Sequence, residues 1–148
     1  MDRIDNLDQL GIIITNELSN NKLYNLSHII SKYDGNDWYD HIHIKDPYNR
    51  KIVYKNDSIE IIVITWSKNQ SSRIHTHPEN GCLMRILYGE LIEEKYNRNL
   101  ELLGRSIIKK DNISYIEGDV ITHKIINSNQ ISVSLHIYSP PNYSAKYF

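Results

Sequence analysis

Cysteine is nearly missing from this chain: Cys82 is the single copy. One thiol allows no internal disulfide and no zinc site built from several cysteines. The default setting for such a chain is a reducing, cytoplasmic one. An excess of one charge is lacking too, since 17 Lys and Arg meet 18 Asp and Glu for a net charge of -1. Nothing in that balance points to nucleic acid or to a membrane surface as partner. No apolar run approaches the roughly 20 residues of a membrane span. The first residues, Met1-Asp2-Arg3-Ile4-Asp5, lack the basic-then-apolar order of a secretory signal. Repeats and low-complexity stretches are absent as well. What remains is 148 residues, 40% of them apolar, which is enough for one core and one domain over 1–148. Ile, Asn, Lys and Tyr are abundant, a pattern that fits an AT-rich coding genome. A single Asn or Tyr therefore carries little weight, and only constellations of residues count.

Two grammars follow one another along the chain. Over residues 5–33, Leu7, Leu10, Ile13 and Ile14, then Leu23, Leu26, Ile29 and Ile30, recur at helical spacing. Asn20-Asn21 separates the two runs, and Asp34-Gly35-Asn36-Asp37 stops them. Short β-rich runs come next, at 51–55, 59–66, 83–88, 90–96, 104–109, 113–116, 121–126 and 131–138. Turn residues lie between them, such as Pro78-Glu79-Asn80-Gly81 and Asn127-Ser128-Asn129. Many short, evenly spaced strands predict a sandwich or barrel. The expected fold is mainly β: a small barrel over 36–148 with two N-terminal helices, within 1–35, packed against it.

Seven histidines carry the chemistry worth weighing. His28 lies in the second apolar run and reads as a core or boundary residue. His41 and His43 flank Ile42, and nothing else converges on them. His75 and His77 differ. Two residues apart on an extended chain, their imidazoles leave the same face and can reach one cation. After His77 come four residues, Cys82, six residues and Gly89. That frame resembles the first cupin motif, with Cys82 standing where the cupin glutamate ligand would be. His123, with Asn127 four positions on, supplies the second half, although the usual Pro-x-Gly before that histidine is missing. Three neutral imidazoles suit Zn, Fe, Ni or Cu on ligand type alone. Without a carboxylate the full 2+ charge stays at the metal, which favours an incoming thiolate.

The stretch Val133-Ser134-Leu135-His136-Ile137-Tyr138-Ser139-Pro140-Pro141 resembles the Ser-x-His-x-Tyr-Ser-Pro-Pro signature of the cysteine dioxygenase family. Tyr48-Asn49-Arg50 resembles that family's Tyr-x-Arg segment, and Trp66 stands nine residues before His75, again as in the family. The resemblance spans about residues 34 to 141 and implies a cupin (jelly-roll-like) barrel. It implies Fe(II) on His75, His77 and His123, with Zn or Ni able to replace iron in a prepared sample. It implies that Arg50, with Tyr48, binds the carboxylate of the substrate. Ser134, His136 and Tyr138 would form a hydrogen-bonded relay on one strand face. Cys82 would sit beside Tyr138, where some family members form a Cys–Tyr thioether. The Ser139-Pro140 bond is expected to be cis.

The activity implied is an oxidoreductase one: L-cysteine and dioxygen give cysteine sulfinic acid. Two alternatives stay open, a dioxygenase for another small thiol such as 3-mercaptopropionate, and a metal-binding cupin without activity. A monomer is the expected state. The loop between Gly89 and Tyr115 is shorter than in animal members, and the chain stops at Phe148 just after the signature. One wall of the pocket is therefore expected to be open, or closed by another subunit.

Overall fold

The structure is a computed structural model that describes residues 2–42 and 49–148. Helix α1 runs Leu7–Leu18. Its first turn is capped from both directions: the Asn6 side chain accepts from the Gln9 amide at 2.8 Å, and the Gln9 side chain accepts from the Asp5 amide at 2.9 Å. Leu7, Leu10 and Ile14 form its buried stripe. The second helical run is wound differently from its expectation. Leu23–Leu26 is a 3-10 turn, and only Ser27–Ile30 is α-helical (α2). Apolar residues at 23, 26 and 29 are three apart, a spacing that suits three residues per turn as well as 3.6. Neither N-terminus has a side-chain cap, since the residues before the turn and before α2 are Lys22 and Leu26. Arg85 ties this region down from the sheet, donating to the carbonyls of Ile30 and Tyr33 at 2.8 and 2.7 Å. The Ile30 carbonyl ends α2, where it also accepts from the Tyr33 amide at 3.3 Å, and the Tyr33 carbonyl lies in the turn beyond.

Eight strands follow: β1 Asn49–Lys55, β2 Glu60–Ser67, β3 Cys82–Tyr88, β4 Glu90–Tyr96, β5 Leu102–Lys109, β6 Ile113–Ile116, β7 Thr122–Ile126 and β8 Ile131–Tyr138. Each matches an expected run to within two residues. They form a five-stranded sheet in the order β1-β2-β8-β3-β6 and a three-stranded sheet in the order β5-β4-β7. All the pairings within these sheets are antiparallel.

The central strands β2, β3 and β8 are buried on both faces. Accordingly β2 reads as a nearly continuous apolar run, whereas β8 alternates because its inner face carries Ser132, Ser134 and His136. Ile61, Val63, Leu83, Leu135 and Ile137 face the helices and form one core with Leu7, Leu10 and Ile14. Ile62, Ile64, Trp66, Cys82, Met84 and Tyr138 form a second core with Leu91 and Ile125 of the smaller sheet. That second core encloses the polar cluster described below. Gly89 makes the turn from β3 to β4 at φ +75°, and a Cβ there would meet the Ser132 hydroxyl at 2.4 Å. The motif glycine is thus required by the turn and by close packing. Among the described residues no helix is long and apolar enough to cross a membrane.

Candidate metal centre

Neighbouring strands set the positions of the three histidines. His75 and His77 precede β3 in an extended segment that pairs with β7, and the backbone of His75 bridges that of His123. The ring centroids are 4.7 Å apart for His75–His77, 4.7 Å for His75–His123 and 4.3 Å for His77–His123. All three side chains are buried, and one nitrogen from each lies within 4.8 Å of the others. Among the described residues this is the one group of His, Cys, Asp and Glu that converges so closely. His28 lies on the exposed side of its run, a correction to its reading as a core or boundary residue. His41 is half-buried and outside the cluster, and His43 lies outside the described residues.

The hydrogen bonds orient two of the rings. His75 Nδ1 lies 2.7 Å from the Arg73 carbonyl, and His123 Nδ1 lies 2.8 Å from the Glu93 carboxylate. Both acceptors require the proton on Nδ1, so both Nε2 atoms present lone pairs. Those atoms face one another at 3.2 Å. Two lone pairs at that separation repel unless a cation lies between them. Nitrogens about 2.1 Å from one ion stand about 3.0 Å apart at a right angle and about 3.4 Å apart at the tetrahedral angle, which brackets the observed distance. Both ring nitrogens of His77 are buried without a hydrogen-bond partner, an arrangement that is costly unless a ligand takes one of them. Burial lowers the pKa of all three imidazoles, and mutual repulsion among the rings adds to it at His77 and His123. They are therefore neutral and able to donate to a metal at ordinary pH. On these grounds the residues fit a divalent transition metal.

Glu93 was not singled out from the sequence. It is 3% exposed, accepts from Ser114 Oγ at 2.7 Å and holds His123 from behind. Three glutamates crowd β4, so composition alone hides it. The usable signal is alternation: Glu93 shares the inward face with Leu91. Asn127 has another part. Its side-chain amide donates to the carbonyls of Trp66 and Ser67, and its side-chain oxygen accepts from Ser132, so it latches the end of β2 to the β7–β8 turn.

The signature strand faces the same interior. In register, Ser134 of β8 pairs with Ile64 and Ile86, His136 with Ile62 and Met84, and Tyr138 with Glu60 and Cys82. Trp66 Nε1 donates to Ser134 Oγ at 2.9 Å, and Ser134 Oγ lies 2.7 Å from His136 Nε2. Nδ1 of His136 approaches the Tyr138 hydroxyl at 3.5 Å and the Cys82 sulfur at 3.8 Å. Burial pushes the Cys82 thiol up to about 12, although a hydrogen bond with Tyr138 opposes the shift, so this sulfur is a neutral thiol. Arg50 pairs with Ile64 across β1 and β2, which puts it on the face of Ser134. Its guanidinium carbon stands 5.7 Å from the Tyr138 ring centroid. The expected Tyr48 lies outside the described residues.

Past the signature, the Ser139-Pro140 bond is cis, as expected. The following chain returns to the metal cluster. Thr76 N donates to the Lys146 carbonyl at 3.1 Å, Phe148 N donates to the Ile74 carbonyl at 3.0 Å, and the Tyr143 hydroxyl meets Thr76 Oγ1 at 2.7 Å. Residues 143–148 thus line the outer edge of the His75–His77 segment.

A family profile described as cysteine dioxygenase type I matches residues 5–148. Curated relatives named cysteine dioxygenase type 1 include one from Danio rerio, 27% identical over 111 residues that make up 68% of this chain and 55% of the relative. Another, from Bos taurus, is 28% identical over 103 residues, 64% of this chain and 52% of the relative. The chain thus spans about half the length of the curated relatives it matches. Among solved structures, a conserved protein with a double-stranded β-helix domain from Klebsiella pneumoniae superposes with a TM-score of 0.64 at 16% identity, covering 76% of this chain and 88% of its own. A Bacillus halodurans protein gives 0.60 at 17% identity, covering 68% and 76%. These likenesses establish the fold, and the profile match over nearly the whole chain establishes more: the protein belongs to the cysteine dioxygenase type I family.

Proposed function

We propose that the chain is a thiol dioxygenase that oxidises L-cysteine with dioxygen to cysteine sulfinic acid. The observation that carries this reading is that three neutral imidazoles and the Ser134-His136-Tyr138 row face one interior, with the exposed Arg50 on the same sheet face and its guanidinium by the Tyr138 ring. His75, His77 and His123 would hold iron(II), which when bound would supply the activation of dioxygen for oxidation at sulfur. In balance, the thiol gains both atoms of one dioxygen molecule, sulfur loses four electrons, and dioxygen takes them. Arg50 pairs with the substrate carboxylate through its planar fork. Tyr138 donates a hydrogen bond to the substrate and is kept in place by His136. The buried apolar surround of Ile62, Ile64, Met84 and Ile86 keeps bulk water from the reacting sulfur.

The same reading includes a thioether between Cys82 and the Tyr138 ring. They are partners across β3 and β8, and the thiol hydrogen-bonds with Tyr138. Formation removes one hydrogen from sulfur and one from the ring, and dioxygen accepts the two electrons and two protons. Intact mass after turnover should fall by two hydrogens, and Cys82→Ala should abolish the change. An inert metal-binding cupin would have no use for the relay or for an arginine above it. The deciding assay is oxygen uptake by the iron-loaded protein with L-cysteine and, in parallel, with 3-mercaptopropionate. Faster uptake with cysteine supports the proposal. Preference for the second thiol would move the substrate, and no uptake with either would overturn the proposal.

A further inference from the structure

The relay does not begin at Ser134. Trp66 and Ser134 are each no more than 1% exposed, and the indole N–H donates to the serine hydroxyl at 2.9 Å. An indole nitrogen only donates. The serine oxygen therefore accepts from Trp66, and its own proton needs another acceptor. Among the described residues the other side-chain group it meets is His136 Nε2, at 2.7 Å. If that nitrogen carried a proton, the buried serine would receive two donors and its own hydrogen would have no acceptor there, an arrangement buried hydroxyls avoid.

We infer that Trp66 is a positioning residue that sets the tautomer of His136: through Ser134 it leaves Nε2 as an acceptor and puts the imidazole proton on Nδ1. That proton then faces the Tyr138 oxygen at 3.5 Å and the Cys82 sulfur at 3.8 Å. The Tyr138 oxygen then accepts from His136, so the tyrosine's own hydroxyl proton is not spent on the histidine. Trp66 thus fixes the direction of the whole chain of hydrogen bonds, Trp66 to Ser134 to His136 to Tyr138. The consequence for turnover rests on the function proposed above, while the tautomer itself does not.

The test is nitrogen-15 NMR of the imidazoles in the full-length chain, loaded with zinc as a diamagnetic probe. His136 should be neutral with its proton on Nδ1, and a proton on Nε2 overturns the inference. Trp66→Phe keeps a ring in the core and removes the N–H, so the His136 signals should move toward the Nε2–H form. Ser134→Ala should likewise end the preference, and it serves where the tryptophan variant fails to fold. A folded Trp66→Phe with wild-type imidazole signals would remove Trp66 from the chain. In the iron-loaded enzyme Trp66→Phe should lower kcat on the order of tenfold with KM and iron content unchanged, and KM and kcat moving together with iron loss would mark a merely structural role. Were the zinc spectrum as expected while no thiol is oxidised, the functional proposal would fall and the tautomer assignment would stand.

Discussion

Arg50 and Glu93 act on the interior from opposite sheets, and each makes a separable prediction. Arg50 presents its charge on the Tyr138 side, where it lowers the pKa of His75, His77 and His136. A charge-assisted hydrogen bond to a carboxylate is worth about 1.5–3 kcal/mol. Arg50→Ala should therefore raise the KM for cysteine roughly ten- to hundredfold and leave iron content alone, as steady-state kinetics beside metal analysis would check. Glu93 should show the reverse pattern. Glu93→Ala leaves the His123 Nδ1–H and the Ser114 hydroxyl without their acceptor, so metal affinity should fall about 10- to 100-fold. Glu93→Gln keeps an acceptor oxygen and should lose less, which competition with a chelator would measure. Equal losses in the two variants would mean that charge, not orientation, is what Glu93 contributes. The His75–His77 pair and the Ser134-His136-Tyr138 row could be read from sequence because each has a two-residue spacing along one extended segment, and His123 because it falls in the second half of the motif. Glu93 could not, because its partner His123 lies 30 positions away and only the β4–β7 pairing brings them together.

At the level of elements, the segment carrying His75 and His77 is held on two sides. β7 pairs with it on the interior side, and residues 143–148 pair with it on the outer side. Thr76 takes three of the outer contacts: its amide donates to Lys146, and its hydroxyl accepts from the Lys146 amide at 2.9 Å and meets Tyr143. Thr76→Val keeps the shape of the side chain and removes the hydroxyl. It should loosen both the tail and the two imidazoles and weaken metal binding by about tenfold, with little change in unfolding free energy in the metal-free state. Calorimetric titration with zinc, set beside urea denaturation, separates those effects. The strands were legible because turn residues punctuate them. The tail was not, since Asn142 to Phe148 has no alternation to mark it as extended. Its pairing depends on the turn after Tyr138 and on the edge left by the His75 segment. The short α2 was half legible: its buried residues were right, but three-residue spacing does not distinguish a 3-10 turn from an α-helix.

For the molecule as a whole, the same burial that readies the imidazoles makes the metal-free fold sensitive to acid. His75, His77, His123 and His136 all have lowered pKa values, with desolvation the leading cause at each. The unfolded chain, near the ordinary value of about 6.5, binds protons that the folded chain refuses. Their contribution to stability is therefore intact above about pH 6.5 and is lost as pH falls from there toward the lowered folded values, by up to about 1.4 kcal/mol per group per pH unit. Urea denaturation of the metal-free protein between about pH 7.5 and 5.5 should show a steep loss, with zinc shifting the whole curve to higher stability. A flat profile would mean that the cluster is open to water. The central claim, that this interior puts both atoms of dioxygen onto a thiol sulfur, is tested most directly by turnover under isotopically labelled dioxygen. The iron-loaded protein should give cysteine sulfinic acid carrying two labelled oxygen atoms from one molecule, and His123→Ala should give none. Consumption of cysteine to the disulfide alone, or sulfinic acid carrying solvent oxygen, would contradict it.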